Sequence, residues 1–439
     1  MLTQTPYKVF LTYIIPSVLG LIAVSSASII DGYFVGNYVG TVGLAAVNIA
    51  YPIFSILFGL GLMFAVGSSV MFSKLLGSNR KPEAQDMFTK SMIVVTLFSL
   101  VACGLVYLNI ENILHALDVK DEFQSSSYTY LSIMVLFLPF LMVGIVIDYF
   151  VRADGNPNLS FLALMSTAVV NVVLDYLFIV KLDYGLAGAA SATGISFVVL
   201  SVALLPHFFL KKASLRFIKP KGSFKPVFRA LKNGVSEFIN ESSAGITVLI
   251  FNFMMIKYLG VQGVAAYTIV TYFIMLSIMI SFGISDGLQP IIAQHYGAKK
   301  SARIRRFLKL GFATILGFSF LLVAIVLTHP QALVDIFLDA NSAKTKAITI
   351  EFLKYTWVAF LFVGLNILIT SYLTSVHKPL PSISIAIARS LIFPIFFVSL
   401  LSYHYGIMGV YIALPVSEIL TFFIAVYFFQ KYLPKQTVK

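Results

Sequence analysis

Four oxygen-bearing side chains, Asp31, Asn171, Asp175 and Thr193, stand inside long apolar runs of this sequence. An ionisable group at bilayer depth costs ~2.5–3.5 kcal/mol on insertion scales, so each such residue asks for a reason. Asn171 and Asp175 are one helical turn apart and share a face. Asp31 and Asp175 lie at similar distances from the ends of their runs, and Thr193 returns to the same level in the run that follows. If the three helices adjoin, two carboxylates, an amide and a hydroxyl converge at one depth. Such a set suits Na⁺, which takes oxygen ligands. It suits a proton equally well, because two carboxylates held close in low dielectric favour sharing one. Taken singly, Asn171 and Thr193 would be ordinary interhelical hydrogen-bonding residues. No metal other than Na⁺ at Asp31 and Asp175, and no organic cofactor, is expected.

The second half of the chain carries a different set, with Phe251 at the position equivalent to Asp31. Glu237, Asn240 and Glu241 fall in one run, where Glu237 and Glu241 share a face and Glu241 lies near the midpoint. Midplane carboxylates between repeats are where transporters bind cations or cationic substrates. Asp286 and Glu418 are further acids at depth. Arg152 and Asp154 read as an ion-paired helix terminus, with Asp148 deeper and facing a cavity, while Arg389 is expected to partner an acid. Met275, with Phe253, Met254, Met255, Tyr272 and Met279, offers deformable and aromatic surface suited to flat organic cations, although core packing explains any one of them. The expected substrate or cavity residues are therefore Glu241, Glu237, Asn240, Asp148, Asp286 and Met275.

What must position these residues is a membrane bundle. Hydrophobic residues make up 59% of the chain and charged residues 11%, a balance that no water-soluble fold of this length needs. Runs long enough to cross ~30 Å of hydrocarbon as helix cover 9–37, 44–75, 87–109, 123–152, 158–180 and 185–210. Six more cover 229–258, 263–296, 306–328, 347–376, 381–402 and 407–431. Barrel strands would alternate apolar and polar residues, and these runs do not. Several exceed the ~20 residues a bilayer requires, so they must tilt or bend, with Pro16, Pro52, Pro139, Pro290, Pro394 and Pro415 as places to bend.

An internal repeat organises the runs. Tyr38, Gly40, Gly43, Ala45, Ala46, Gly67 and Gly77 recur at one constant offset as Tyr258, Gly260, Gly263, Ala265, Ala266, Gly287 and Gly297. The expected fold is an all-α membrane protein of twelve transmembrane helices in two six-helix lobes, related by pseudo-twofold symmetry along the membrane normal. Residues 1–210 form the N-lobe and 229–439 the C-lobe. Residues 211–228 form a basic cytoplasmic linker, read either as an interfacial helix or as a solvated tether. With the N-terminus inside, the outer segments hold only Lys120, Lys181, Lys257, Lys344, Lys346 and Lys354, so both termini are expected in the cytoplasm. The net charge of +13 is then a topology signal, and no nucleic-acid partner is expected. The first run extends far past a signal peptide's apolar core and should stay attached. The lone Cys103 excludes an intramolecular disulfide. These features point to a multi-pass monomer in the plasma (inner) membrane of a prokaryote.

Six segments carry a family likeness: IDGYFVGNYVGTVGLAA, YFVRADGNPN, NVVLDYLF, YGLAGAASATG, GVQGVAAYTI and GLQPIIAQHYGA. In their order and spacing the whole chain resembles the multidrug and toxic compound extrusion (MATE) transporters. The resemblance implies a secondary active exporter, antiporting organic and often cationic compounds against H⁺ or Na⁺ by alternating access. It implies an N-lobe cation site at Asp31, Asn171, Asp175 and Thr193, and a span 7 acid matched by Glu241 or Glu237. The sequence departs from the family in two places: Asn366 stands where one branch has Asp, and Asp148 where Asn is common.

Two other readings are weaker. A flippase for lipid-linked sugars of the same superfamily would need a basic cavity, whereas this chain places acids at depth. A membrane-embedded enzyme would need a catalytic motif, but His115, His207, His295, His329, His377 and His404 are scattered and no HExxH occurs. No enzymatic activity is expected.

Overall fold

The computed structural model describes residues 1–210, 213–338 and 342–434. Each apolar run is helical, which lets a segment satisfy its own backbone hydrogen bonds in hydrocarbon. The first half contains α1 (Pro6–Phe34), α2 (Thr41–Gly77), α3 (Lys81–Leu108), a short α4 (Ile110–Ala116), α5 (Asp121–Ala153), α6 (Pro157–Asp175) and α7 (Gly185–Leu204). The second contains α8 (Lys225–Gly297), α9 (Ser301–Thr328), a short α10 (Pro330–Asp335), α11 (Ala343–Ser375), α12 (Pro379–Ile387), α13 (Phe393–Tyr405) and α14 (Ile407–Tyr432). Wider π-helical turns extend α1 over Val35–Val39 and α6 over Tyr176–Lys181, and a third, Ala388–Ile392, joins α12 to α13 as one span.

Among the described residues, eleven helical stretches are long and apolar enough to cross a membrane, and α8 is two spans in one, which gives twelve. The two expected runs meet at Gly260, whose φ of 63° and ψ of −154° break the helix. Its repeat counterpart Gly40, with φ of 91°, makes the matching turn between the α1 span and α2. A side chain at either φ would press against the backbone, so the repeat keeps glycine there.

The chain forms two compact units, one of residues 1–241 with 293–299 and the other of 242–292 with residues from 300 onward. In the first, α5 packs on α2, α3 and α7, and α6 joins α1 to α7. Phe150 sets its ring edge-to-face with those of Phe72 and Phe88, at centroid distances of 5.2 and 5.0 Å. In the second, α14 packs on α11 and α13, α9 packs on α11, and Phe352 lies between Tyr411 and Tyr267 at 4.6 and 6.0 Å.

The two ends of α8 that belong to the first unit dock on α2 backbone to backbone. A Cβ added to Gly67 would meet the Ala230 carbonyl, and one on Gly234 the Met63 carbonyl. Further along, a Cβ on Gly77 would collide with the Gln294 carbonyl, and one on Gly297 with the Lys74 carbonyl. The last two contacts exchange under the repeat, since Lys74 maps onto Gln294 and Gly77 onto Gly297.

Between α7 and α8 the chain is neither an interfacial helix nor a loose tether. Lys211 and Lys212, where the linker was expected to begin, lie outside the described residues. From Ala213 to Phe224 it is an extended strap whose main chain is held by side chains of the first unit. Asp154 accepts from the Ser214 and Leu215 amides at 2.6 and 3.0 Å, Asp86 from the Lys221 amide at 2.8 Å, and Thr89 from the Ile218 amide at 3.1 Å. The buried Lys90 ammonium donates to the Lys221 and Ser223 carbonyls and to Asp86. Buried main-chain groups need partners, and here helix ends supply them.

The glycine contacts give a direct test. Gly77→Ala and Gly297→Ala should each lower stability by about 1–3 kcal/mol, because the added methyl meets backbone that cannot turn aside. Gly317→Ala, where nothing lies within 4 Å of the added Cβ, should be neutral or stabilising. Thermal unfolding of the three detergent-purified variants reads the difference, and equal midpoints would contradict the packing argument.

Candidate cation and substrate sites

Asp31 on α1 and Asp175 at the end of α6 meet where those helices pack. Their carboxyl groups come within hydrogen-bonding reach of each other. Asp175 is fully buried, and neither of its oxygens nor Oδ1 of Asp31 has a protein donor. Two carboxyls in that arrangement can hydrogen-bond only through a shared proton. One turn back, Asn171 donates through Nδ2 to Thr193 Oγ1 at 3.3 Å, linking α6 to α7. Asn171 and Thr193 thus form a second pair, one helical turn along α6 from Asp175.

A fifth residue was not apparent from the sequence. Tyr130 of α5 is buried within electrostatic reach of both Asp31 and Asp175. A tyrosine near the end of an apolar run reads as an interfacial anchor, and only the packing of α5 turns this one inward. The π-turns were also missed. One opens a few residues beyond Asp31 and another directly beyond Asp175, and the two turns touch each other. Such turns insert an extra residue per coil and recur at functional sites. The oxygen set fits a proton, or Na⁺ with its hard-oxygen preference: unpaired carboxyl oxygens in a buried setting, beside an amide and hydroxyls. Among the described residues no cluster of three or more His, Cys, Asp or Glu could hold a transition metal.

Asp148 is buried on α5, ion-paired with Arg152 one turn along the helix, and accepts a hydrogen bond from Ser160 of α6. The Arg152 guanidinium lies over the Tyr149 ring at 4.1 Å. Asp154 is apart from this pair, bonded to His207 Nε2 at 2.9 Å and to the strap.

On α8, Glu237 is buried, while Asn240 and Glu241 are half-buried. Tyr51 of α2 lies within electrostatic reach of Glu241. Asp286 is buried and accepts from Gln289 Nε2 at 3.4 Å, one turn along the same helix. Met275, Tyr272 and Phe253 present exposed side chains, whereas Met255 is wholly buried in the core of the second unit. The segment Gly283-Ile284-Ser285-Asp286-Gly287 matches the GxSxG pattern of serine hydrolases, but it lies inside α8 and not on the strand-to-helix elbow that pattern requires. Arg389 does partner an acid: its Nε donates to Glu418 Oε1 at 3.2 Å.

Twelve spans built on an internal repeat, with carboxyls buried at depth, define a multi-pass membrane transport protein. The MatE family model matches residues 16–177 and 242–400, and the chain belongs to that family. It is 26% identical to the multidrug export protein MepA of Staphylococcus saprophyticus over 417 residues, covering 94% of this chain and 91% of that one. To the MepA of Staphylococcus aureus strain NCTC 8325 it is 25% identical over 423 residues, covering 94% and 91%. Its fold is similar to that of a variant of the Vibrio cholerae MATE transporter VcmN, with a TM-score of 0.91 at 20% identity over 98% of each chain. A MOP superfamily transporter from Pyrococcus furiosus aligns with a TM-score of 0.90 at 20% identity, over 98% of this chain and 96% of that one.

The Asp148 network carries its own prediction. Asp148→Asn leaves Arg152 without its counter-charge and should cost about 3–5 kcal/mol, seen as a lower thermal midpoint and reduced yield. Asp148→Asn combined with Arg152→Gln should recover most of the loss. Full stability of the single variant would place Asp148 outside the structural network.

Proposed function

We propose that this protein is a secondary active multidrug exporter that moves organic, mainly cationic, compounds out of the cell in exchange for H⁺ or Na⁺ by alternating access. The observation that carries this reading is the Asp31–Asp175 pair, a half-buried and a fully buried carboxyl with no positive group among the described residues beside them. Such a pair needs a cation from outside, and a cation drawn from one side and released to the other is what drives an antiporter. The family and the names of the MepA relatives support the substrate class. The lobes are residues 1–210 and 229–439, joined by the basic linker 211–228, and the distribution of Lys and Arg supports a cytoplasmic position for both termini. The protein works as a monomer in the plasma membrane of a prokaryote, without a cofactor and without enzymatic chemistry. α8 supplies Glu237, Glu241 and Asp286 at depth, which suits cationic substrates better than the pyrophosphate of a lipid-linked sugar.

The coupling need not be a contest for one site. Occupancy of Asp31 and Asp175 has only to favour a conformation with weaker substrate affinity, and a ~100-fold change in affinity requires ~2.7 kcal/mol of differential binding. The proton is favoured over Na⁺, because a carboxyl pair that lacks donors is satisfied by one shared proton.

Two experiments test this reading. In proteoliposomes with a fluorescent organic cation and an imposed pH or Na⁺ gradient, wild-type flux should follow the pH gradient. Asp31→Asn and Asp175→Asn should each reduce that flux to background while still inserting normally. Strong Na⁺-driven flux at constant pH, with no response to a pH gradient, would assign the site to Na⁺, and wild-type flux through either variant would remove the site altogether. Separately, Glu241→Gln should weaken a cationic substrate by about tenfold and a matched neutral one much less, since a half-buried carboxylate attracts charge without close fit. Equal losses in equilibrium binding would make Glu241 structural.

A further inference from the structure

The second unit contains a polar cluster that the coupling scheme does not use. Glu418 of α14 is 3% exposed, and its carboxylate receives Arg389 Nε at 3.2 Å and Asn366 Nδ2 at 2.8 Å. Asn366, fully buried on α11, also donates to the Glu418 main-chain oxygen at 2.9 Å. Both contacts use the amide nitrogen, so the amide is held with its oxygen turned away. Arg389 projects from the π-turn between α12 and α13, and that turn is tied to α8 by Thr247, whose hydroxyl donates to the Ser390 carbonyl at 2.9 Å.

The contrast with the first unit lies in the source of positive charge. Asp31 and Asp175 face each other and the uncharged Tyr130. Glu418 faces a guanidinium, which does not lose its proton in proteins. Parting a buried pair of this kind leaves an uncompensated charge, a penalty that a visiting ion would have to offset at every turnover. Asn366 takes the second carboxylate oxygen, so each oxygen of Glu418 already has a protein donor.

We propose that Arg389 is a resident counter-cation that keeps H⁺ and Na⁺ off Glu418, and thereby sets how many coupling ions move per substrate. The inference rests on the ion-coupled reading above and goes beyond it, because it names the residue that makes the second unit silent. Replacing the guanidinium with a neutral group leaves Glu418 with the Asn366 amide and without the positive charge of Arg389.

The test is a balance-point measurement on the full-length protein in liposomes, with ethidium as substrate and the membrane potential clamped at zero. With n ions exchanged per ethidium, net flux stops when the ethidium ratio equals the ion ratio raised to the power n. Arg389→Gln should raise n by one, so an ion gradient of about tenfold should hold a further tenfold ethidium ratio at balance. Arg389→Lys, which keeps the charge, and Arg389→Gln with Glu418→Gln, which removes the acid as well, should both retain the wild-type ratio. A folded Arg389→Gln protein with the wild-type ratio overturns the inference and leaves the exporter reading standing. Wild-type flux indifferent to both ion gradients overturns the two together. If Arg389→Gln does not fold, dicyclohexylcarbodiimide, which modifies protonated carboxyls in apolar surroundings, reads the native protein by mass spectrometry. Label on Asp31 or Asp175 and not on Glu418 is expected, and comparable label on Glu418 refutes the resident-cation role.

Discussion

A carboxylate cannot stay ionised in hydrocarbon without a positive charge beside it, and the placing of acids throughout this protein follows from that constraint. Asp148 is answered by Arg152 one turn away, and Glu418 by Arg389 across a helix interface. At the end of α3, Asp86 is answered by Lys90, whose remaining protons hold the strap. In each case the compensating charge belongs to the chain and cannot leave, so the pair stabilises one arrangement. Asp31 and Asp175 stand outside the rule, having each other and neutral neighbours. That difference separates acids that brace the fold from acids that have to find their cation elsewhere.

Backbone irregularity follows the same division. The three π-turns adjoin Asp31, Asp175 and Arg389, the residues whose charges the apolar spans tolerate least. An extra residue in a coil leaves a carbonyl out of the regular ladder, and at the third turn that carbonyl, of Ser390, is taken by Thr247. The widened coil also rotates the side chains beyond it relative to those before. Phe34 and Tyr176 flank the first two turns with their rings 6.5 Å apart, so an aromatic contact lies beside the polar pair.

Long apolar runs, read by length and spacing, located the helices to within a few residues, because the bilayer permits almost nothing else. Asp31 and Asp175 were legible for the same reason: burial of an acid is costly enough to be noticed, and matching depths suggested a meeting. The span-terminal acids were harder. Asp148 and Arg152 are one turn apart on one face, which is the signature of an ion pair, yet depth alone had suggested a cavity. Tyr130 and the strap were not legible at all, because both depend on which helices become neighbours. Tyr130 is an ordinary residue until α5 packs beside α6. The strap's amides acquire partners only because Asp86, Thr89 and Asp154 happen to end up alongside.

The reciprocal approach of Gly77 to Gln294 and of Gly297 to Lys74 also bears on how a duplicated chain can change. In a pair of identical half-length chains, this contact would be self-complementary, and every substitution in it would be felt twice. Fusion into one polypeptide ends that doubling, since each position then varies alone. The halves remain interchangeable where main chains touch and tolerate no added atom, yet they hold Asp31 in one and Phe251 in the other at matching positions. A symmetric frame with separately inherited halves lets charge become one-sided, which two copies of a single half could not achieve.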